Sequence, residues 1–389
     1  MHAGRTLPTD GRPLAPSPTI AAWRDEGPAT PLAYPDGHEG WIVTRHALAR
    51  ALLTDPRFSQ RPQRMPGPQV QRPPEEIDAR AKESLRVADL LGLDEPAHVR
   101  LRRRITARFS VKAARARRDT ITAIVRGQLD HLRSQGSPAD LTTHYAQPIS
   151  ARVHCEVLGI PPVHAPRFAE LFVGSSPLQA KFDFIREVVA FRRENPGGDS
   201  LSDLIQADLS EEEVDGLALV LMASGRDSVA YMIATATVAL LNHPDQLARL
   251  RDDTSLMPSA IEEFMRVGAM FVTLFPRTAT EDVEIDGTMF RAGESVSVSP
   301  VGANRDERAF ERPEEFDITR DALGHLGFGH GLHGCVGQQV ARIEITEAIG
   351  QLIAEFPALR LEHAEQLTPM PFAHPVATYE AGAVVVGWD

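Results

Sequence analysis

Apolar and polar positions recur with different periods along this chain, and the changes of period mark its parts. Between Pro31 and Thr44 two short apolar runs, Leu32-Ala33-Tyr34 and Trp41-Ile42-Val43, flank Asp36-Gly37, the signature of a β-hairpin. His46 to Leu53 takes up helical spacing and stops before Asp55-Pro56. Residues 62–74 carry five prolines and no period, which predicts a long loop of the kind that often has a function. From Glu95 to about Gly350 most segments read as helices. The longest is predicted from Ser210 to Asn242. Ser210-Glu211-Glu212-Glu213 opens it as a capping box with acids at the positive end of the helix, and His243-Pro244 closes it. Its middle and C-terminal half are almost entirely apolar, so burial on nearly every side is expected. Beyond Pro276 short strands and turns take over, at Val283-Glu284-Ile285, Asp286-Gly287 and Ser295-Val296-Ser297-Val298. A last helix is predicted from about Cys335 to Phe356, and Ala383 to Val386 reads as strand. With no internal repeat, the pattern predicts a proline-rich lead-in over residues 1–30 and a single domain over 31–389, mainly α with small β-sheets.

Composition adds limits. A chain of 389 residues with 42% hydrophobic and 24% charged residues can bury a large core. The net charge of −12 argues against general nucleic-acid binding, which needs a basic face. Basic residues are nevertheless concentrated at Arg100, Arg102, Arg103, Arg104, Arg108, Lys112, Arg115, Arg117 and Arg118. Such a segment is a solvated helix face or a docking surface for an acidic partner. The start of the chain has no signal-peptide pattern, and no apolar run reads as a membrane span, so a cytoplasmic protein without membrane attachment is expected.

The two cysteines are Cys155 and Cys335. Cys335 ends a loop with glycines at 327, 329, 331 and 334 and a further one at 337, which frees the backbone for tight turns and close approach to a flat, bulky group. A helix begins there, and amides at a helix start stabilise a thiolate. A buried structural thiol, a nucleophile beside His333 and a zinc ligand are the alternatives. The two-residue separation from His333 gives no triad geometry, and no CxxC or HxxxH companion exists for zinc. Spacing alone does not choose among them and a metal thiolate.

The loop resembles the cysteine-ligand loop of the cytochrome P-450 family, Phe-Gly-x-Gly-x-His-x-Cys-x-Gly, and every fixed position is matched from Phe328 through Gly337. The resemblance implies haem b with the Cys335 thiolate as axial ligand to iron, Phe328 packed near the sulfur, His333 approaching a haem propionate, and Gly337 completing the loop. Asp94 to Arg103 is similar to the family segment that grips propionates. His98 and Arg102 lie four apart there and share a helix face, while Arg100, Arg103 and Arg104 read as solvated. Arg277 matches another propionate position, against the reading of a strand-edge charge. Glu263 and Arg266 match the family's Glu-x-x-Arg and imply a structural lock; Asn304-Arg305-Asp306 and Phe310-Glu311-Arg312-Pro313 follow in the expected order.

Ser224-Gly225-Arg226-Asp227-Ser228 interrupts the long apolar helix, a break of the local rule that points to function or strain. In the family an acid–alcohol pair stands here. Asp227 and Ser228 occupy its places, and the implied role is catalytic proton delivery during O2 activation. Serine lacks the methyl of the more usual threonine. Arg226 beside the acid has three readings: it depresses the Asp227 pKa, anchors a polar substrate group, or points outward into a salt bridge.

By position, Met222, Ala223, Val272, Thr273, Leu274 and Thr378, with Ala377, are expected to line a substrate pocket. The loop over 60–90 and the stretch Phe168 to Val173 are expected to cover it. The resemblance thus implies the P-450 fold and a monooxygenase that oxidises a small, largely hydrophobic organic molecule in secondary metabolism. Electrons would come from NAD(P)H through redox partners, with a ferredoxin-type donor on the basic face. An oxidase of the same fold that couples, cyclises or rearranges its substrate is the alternative, and a haem sensor without turnover is a third reading.

Overall fold

The computed structural model describes residues 4–61, 76–172, 176–363 and 376–389. The proline-rich loop expected over 62–74, and Val173 of the expected lid, lie outside them.

The hairpin forms as read: β1 (Ala29–Ala33) pairs antiparallel with β2 (Glu39–Val43), Ala29 opposite Val43 and Ala33 opposite Glu39. Among the described residues this pair is the edge of a five-stranded sheet, with β3 (Phe58–Ser59), β4 (Arg277–Ala279) and β5 (Ser295–Val298), in the order β1-β2-β5-β4-β3. β2 and β5 run parallel and the other pairs antiparallel. The sheet delivers Arg277 from the far end of the chain to the body that holds the first hairpin. Val283–Ile285 and Thr288–Phe290 form a second, small hairpin across Asp286-Gly287.

The helices that matter for the site are α1 (Pro18–Glu26), α2 (Ala79–Ala88), α3 (Ala97–Thr106), α4 (Gln147–Leu158), α5 (Glu211–Ala223), α6 (Arg226–Asn242), α7 (Met257–Val267) and α8 (Gln338–Glu355). The first corrects the sequence reading of residues 1–30 as lead-in. Ser17 accepts the Thr19 N–H, Pro18 stands at the first helical position, and Ile20 and Trp23 are buried, so this segment is part of the body.

The single helix expected from Ser210 to Asn242 is two helices. The Ser210 capping box starts α5 as anticipated. Ser224 then turns extended, and Gly225 takes φ 92°, ψ −42°, a conformation that strains any residue with a Cβ. Every residue of α6 from Ala230 to Leu240 is buried, where it packs against α4 and α8. By length and apolarity the stretch Glu211–Asn242 could cross a bilayer, a property the sequence reading did not credit. Its break and its burial in the body make it a core element.

The Glu263–Arg266 pair on α7 is fully buried and bidentate, at 2.7 and 2.8 Å. The remaining guanidinium donors reach the carbonyls of Asn304, Pro313 and Glu315. Glu263 also accepts from the Asp317 N–H and Arg320 Nε. Arg320 is a member of this lock that the sequence reading did not single out; its distance of 54 residues or more from the pair left no local pattern to find it by.

Candidate functional site

Within the cysteine loop, Gly329 and Gly331 both have positive φ, 68° and 72°. A side chain at Gly331 would meet the Leu53 carbonyl at 2.5 Å. The Cys335 N–H donates to the Phe328 carbonyl at 2.8 Å and closes the loop on itself. Gly337 is the N-cap of α8, which starts at Gln338, three residues later than expected. The Cys335 side chain presents surface, yet protein crowds it closely enough that burial pushes its pKa up. The Gly337 and Gln338 N–H groups and the Arg102 and Arg342 guanidiniums act in the opposite sense and do not win. The helix-start amides act in the expected sense, in favour of the thiolate, and burial opposes them.

Four basic side chains gather beside this loop. His98 on α3 is fully buried, its ring centroid 4.2 Å from that of His333. Neither ring nitrogen of His98 has a hydrogen-bond partner. Arg277 on β4 is 6% exposed, and its Nε has none. Arg102 donates to the Gly334 carbonyl, tying α3 to the loop. Crowding and burial work against the charged form of each group. Burial, then the Arg102 charge, takes His98 down to about 4. Burial, then His98 and the arginines, takes His333 to about 3, and burial takes Arg277 to about 10. Cations and unmatched donors packed together without their own acceptors are destabilising, unless the site receives anions. A dicarboxylate group held at a cysteine thiolate satisfies them, so the donor set fits haem.

The rest of the basic segment behaves differently. Arg100 pairs with Glu213, Arg108 with Asp203 and Arg118 with Glu347, so these charges tie helices together. The reading of Arg100 as merely solvated is thus amended. Arg103, Arg104, Lys112 and Arg115 remain exposed.

At the break, Arg226 donates through Nε and Nη2 to one Asp227 oxygen, at 3.0 and 2.7 Å. The salt bridge expected for Arg226 exists, but its orientation is the reverse of the expected one. The Arg226 side chain is 13% exposed and lies close enough to His154 and Cys155 to act on their charge; Asp227 is 66% exposed. Ser228 Oγ donates to the Gly225 carbonyl at 3.2 Å. The Arg226 carbonyl accepts from Ser150 on α4 at 2.6 Å. His154, also on α4, sits under Gly225, where an added Cβ would lie 3.1 Å from its ring.

The expected pocket residues divide. Ala223 is exposed and Leu274 half-buried. Met222, Val272, Thr273 and Thr378 are buried. Thr273 and Thr378 belong to a short antiparallel pair, and Thr273 Oγ1 accepts the Ala377 N–H. Phe168 is likewise buried, 1% exposed among His154, Phe172 and Phe184.

The model of the family described as "Cytochrome P450" matches residues 176–375, just over half the chain. The chain belongs to the cytochrome P450 family. It is 37% identical over 388 residues to cytochrome P450 105C1 of a Streptomyces species, covering 96% of each. It is also 37% identical to pentalenic acid synthase of Streptomyces avermitilis, covering 92% of this chain and 90% of that one. A crystal structure of a putative thioether synthase involved in the tailoring step of griseoviridin superposes with TM-score 0.88 at 31% identity, over 99% of this chain and 100% of the other. This P450 has the expected mainly α fold with small sheets, and it is a monooxygenase of the haem-thiolate, O2-dependent class.

Proposed function

We propose that Cys335 is the thiolate ligand of the haem, that His98, Arg102, Arg277 and His333 bind its two carboxylates, and that the enzyme oxidises a small, largely hydrophobic secondary metabolite. The observation that carries the reading is the pair of buried basic groups with unpartnered nitrogens, His98 and Arg277, at a loop whose Cys335 N–H is spent on folding it around the cysteine. When bound, a thiolate-ligated haem supplies the activation of O2, since donation from sulfur favours O–O cleavage. The chain's own residues do the rest. His98 and Arg277 orient the group through donors that nothing else satisfies. Arg226 fixes the Asp227 carboxylate at the break, and the adjacent Ser228, whose hydroxyl donates to the Gly225 carbonyl, supplies the group that can pass a proton on. The acid–alcohol pair is thus held at the start of α6, where the helix N-terminus favours the carboxylate.

The names of relatives support the substrate class: one is a nocardicin C N-oxygenase, another a mycinamicin IV hydroxylase/epoxidase. Electrons are proposed to come from NAD(P)H through a ferredoxin-type donor docked on the exposed Arg103, Arg104, Lys112 and Arg115, in a cytoplasmic protein. The test of the ligand is the absorbance of the reduced, CO-treated protein. Wild type is expected to show a strongly red-shifted Soret band and Cys335→Ala none; a red-shifted band in the variant overturns the assignment. Insertion of oxygen predicts label from 18O2 in the product. Coupling without insertion, the second reading, predicts none.

A further inference from the structure

Arg342 lies just past the first turn of α8, with its guanidinium 4.5 Å from the centroid of the Phe328 ring. A contact of this kind draws the cation onto the ring face. The Phe328 carbonyl is the acceptor of the Cys335 N–H, so the residue under the cation is also the one that shapes the cysteine loop. Every Arg342 guanidinium nitrogen donates to a neighbour. Nε and Nη2 go to the two oxygens of Glu262 on α7, at 2.6 and 2.9 Å, and Nη1 goes to the side chain and carbonyl of Gln338.

Glu262 is held from its other side by His325. Its Nδ1 accepts the Gly327 N–H at 2.9 Å, so the ring proton is on Nε2 and is donated to Glu262 at 3.0 Å. His325 thereby adds a dipole and no charge. Burial works to raise the Glu262 pKa, but the hydrogen bonds of Arg342 and His325 outweigh it and keep the group ionised. The arrangement borders a small cleft of about 230 Å3 that also reaches Arg50 and His330. None of these residues is needed to bind a carboxylate group, and the ion pair is more elaborate than packing a phenylalanine requires.

We propose that Glu262 and Arg342 are positioning residues that set the reduction potential at Cys335: Arg342, braced on Phe328, supplies a positive field behind the sulfur that favours addition of an electron, and Glu262 balances most of that charge. This rests on the assignment of Cys335 as ligand. A positive charge stabilises whichever redox state carries the extra electron, and the half-buried setting limits screening by salt. Arg102, the other cation near the sulfur, is bound to Gly334 and is untouched by changes at Glu262.

The experiment is a potentiometric titration of the substrate-free holoenzyme with dithionite and redox dyes, on wild type, Glu262→Gln, Arg342→Gln and Arg342→Lys. Glu262→Gln uncovers the cation and is expected to favour the reduced state by about tenfold, which for one electron is about 59 mV upward. Arg342→Gln is expected to shift it about tenfold the other way, and Arg342→Lys to stay within about threefold of wild type. Should Arg342→Gln fail to hold haem, Glu262→Gln and Arg342→Lys decide the matter. Equal or same-sign shifts in the two glutamine variants, or no shift in Glu262→Gln, reduce the pair to a structural strut and overturn the proposal. A wild type without the red-shifted CO band instead refutes the ligand assignment on which it rests.

Discussion

Replacing Glu344 by glutamine should remove a steep pH dependence from the stability of this protein. Glu344 projects from α8 into the core, 3% exposed, and its Oε1 has no partner. Burial raises its pKa from 4.5 to about 8. A hydrogen bond from Ser150 to the carboxylate would oppose this, but the Ser150 proton is given to the Arg226 carbonyl at 2.6 Å. Towards Glu344 the Ser150 oxygen can only accept, which requires the protonated acid. The native state therefore binds a proton that the unfolded chain releases above its ordinary pKa. Between about pH 4.5 and 8 the native state carries the extra proton, so stability falls as pH rises, by up to about 1.4 kcal/mol per unit, and levels off above the folded pKa. Over the whole window this amounts to about 5 kcal/mol, a large share of the net stability of a folded protein. Glutamine keeps the shape and carries no titration. Urea unfolding of wild type and Glu344→Gln, followed by far-ultraviolet circular dichroism at half-unit steps from pH 5 to 8.5, gives the difference in stability, in which all other groups cancel. The difference should grow in favour of the variant by about 4 kcal/mol from pH 5 to 8. Parallel curves would refute the reasoning and mean that the carboxyl finds water or a base in solution.

Three other outcomes are expected. Glu263→Gln leaves the buried Arg266 charge without its partner; it should cost about 3–5 kcal/mol, read as a lower melting temperature and poor haem incorporation on expression. His98→Ala and Arg277→Leu each remove a charged or polar donor worth about 1.5–3 kcal/mol to a carboxylate, so haem should transfer to apomyoglobin about tenfold to a hundredfold faster, while an exposed change such as Arg115→Gln leaves the rate alone. Asp227→Asn and Ser228→Ala should lower product formed per NAD(P)H by about tenfold or more, with peroxide or water made instead, and unchanged coupling in both would remove the proton-delivery role.

The chemistry of the cysteine loop was legible because a continuous stretch carries it. Glycines at fixed intervals, one cysteine and the start of a helix are local facts, and so are the hairpin and the Ser210 capping box. What the sequence left out depends on contacts between distant segments. Gly225 marked a distortion, but that the helix ends and restarts there follows from α4, whose His154 and Ser150 meet the backbone at the break. An outward salt bridge was one of three readings of Arg226. The structure instead turns the arginine in and leaves the acid out. That Thr273 pairs with Ala377, about a hundred residues on, was likewise not legible locally. Arg320, Glu262 and Arg342 gave no local signal at all; each is defined by a partner 57 or 80 residues away.

The joint at Ser224–Gly225 divides one line of helix between two different supports. The first half, α5, rests on α2 so closely that a Cβ on Gly216 would touch Ala88, whereas α6 is clamped by α4 and α8, the helix that follows the cysteine. A substitution that tilts α5 is therefore absorbed at the glycine and does not lever the thiolate end. Sequence drift in α2 and α5 can leave the helix beside Cys335 in register, which makes this hinge a natural firebreak between the two halves.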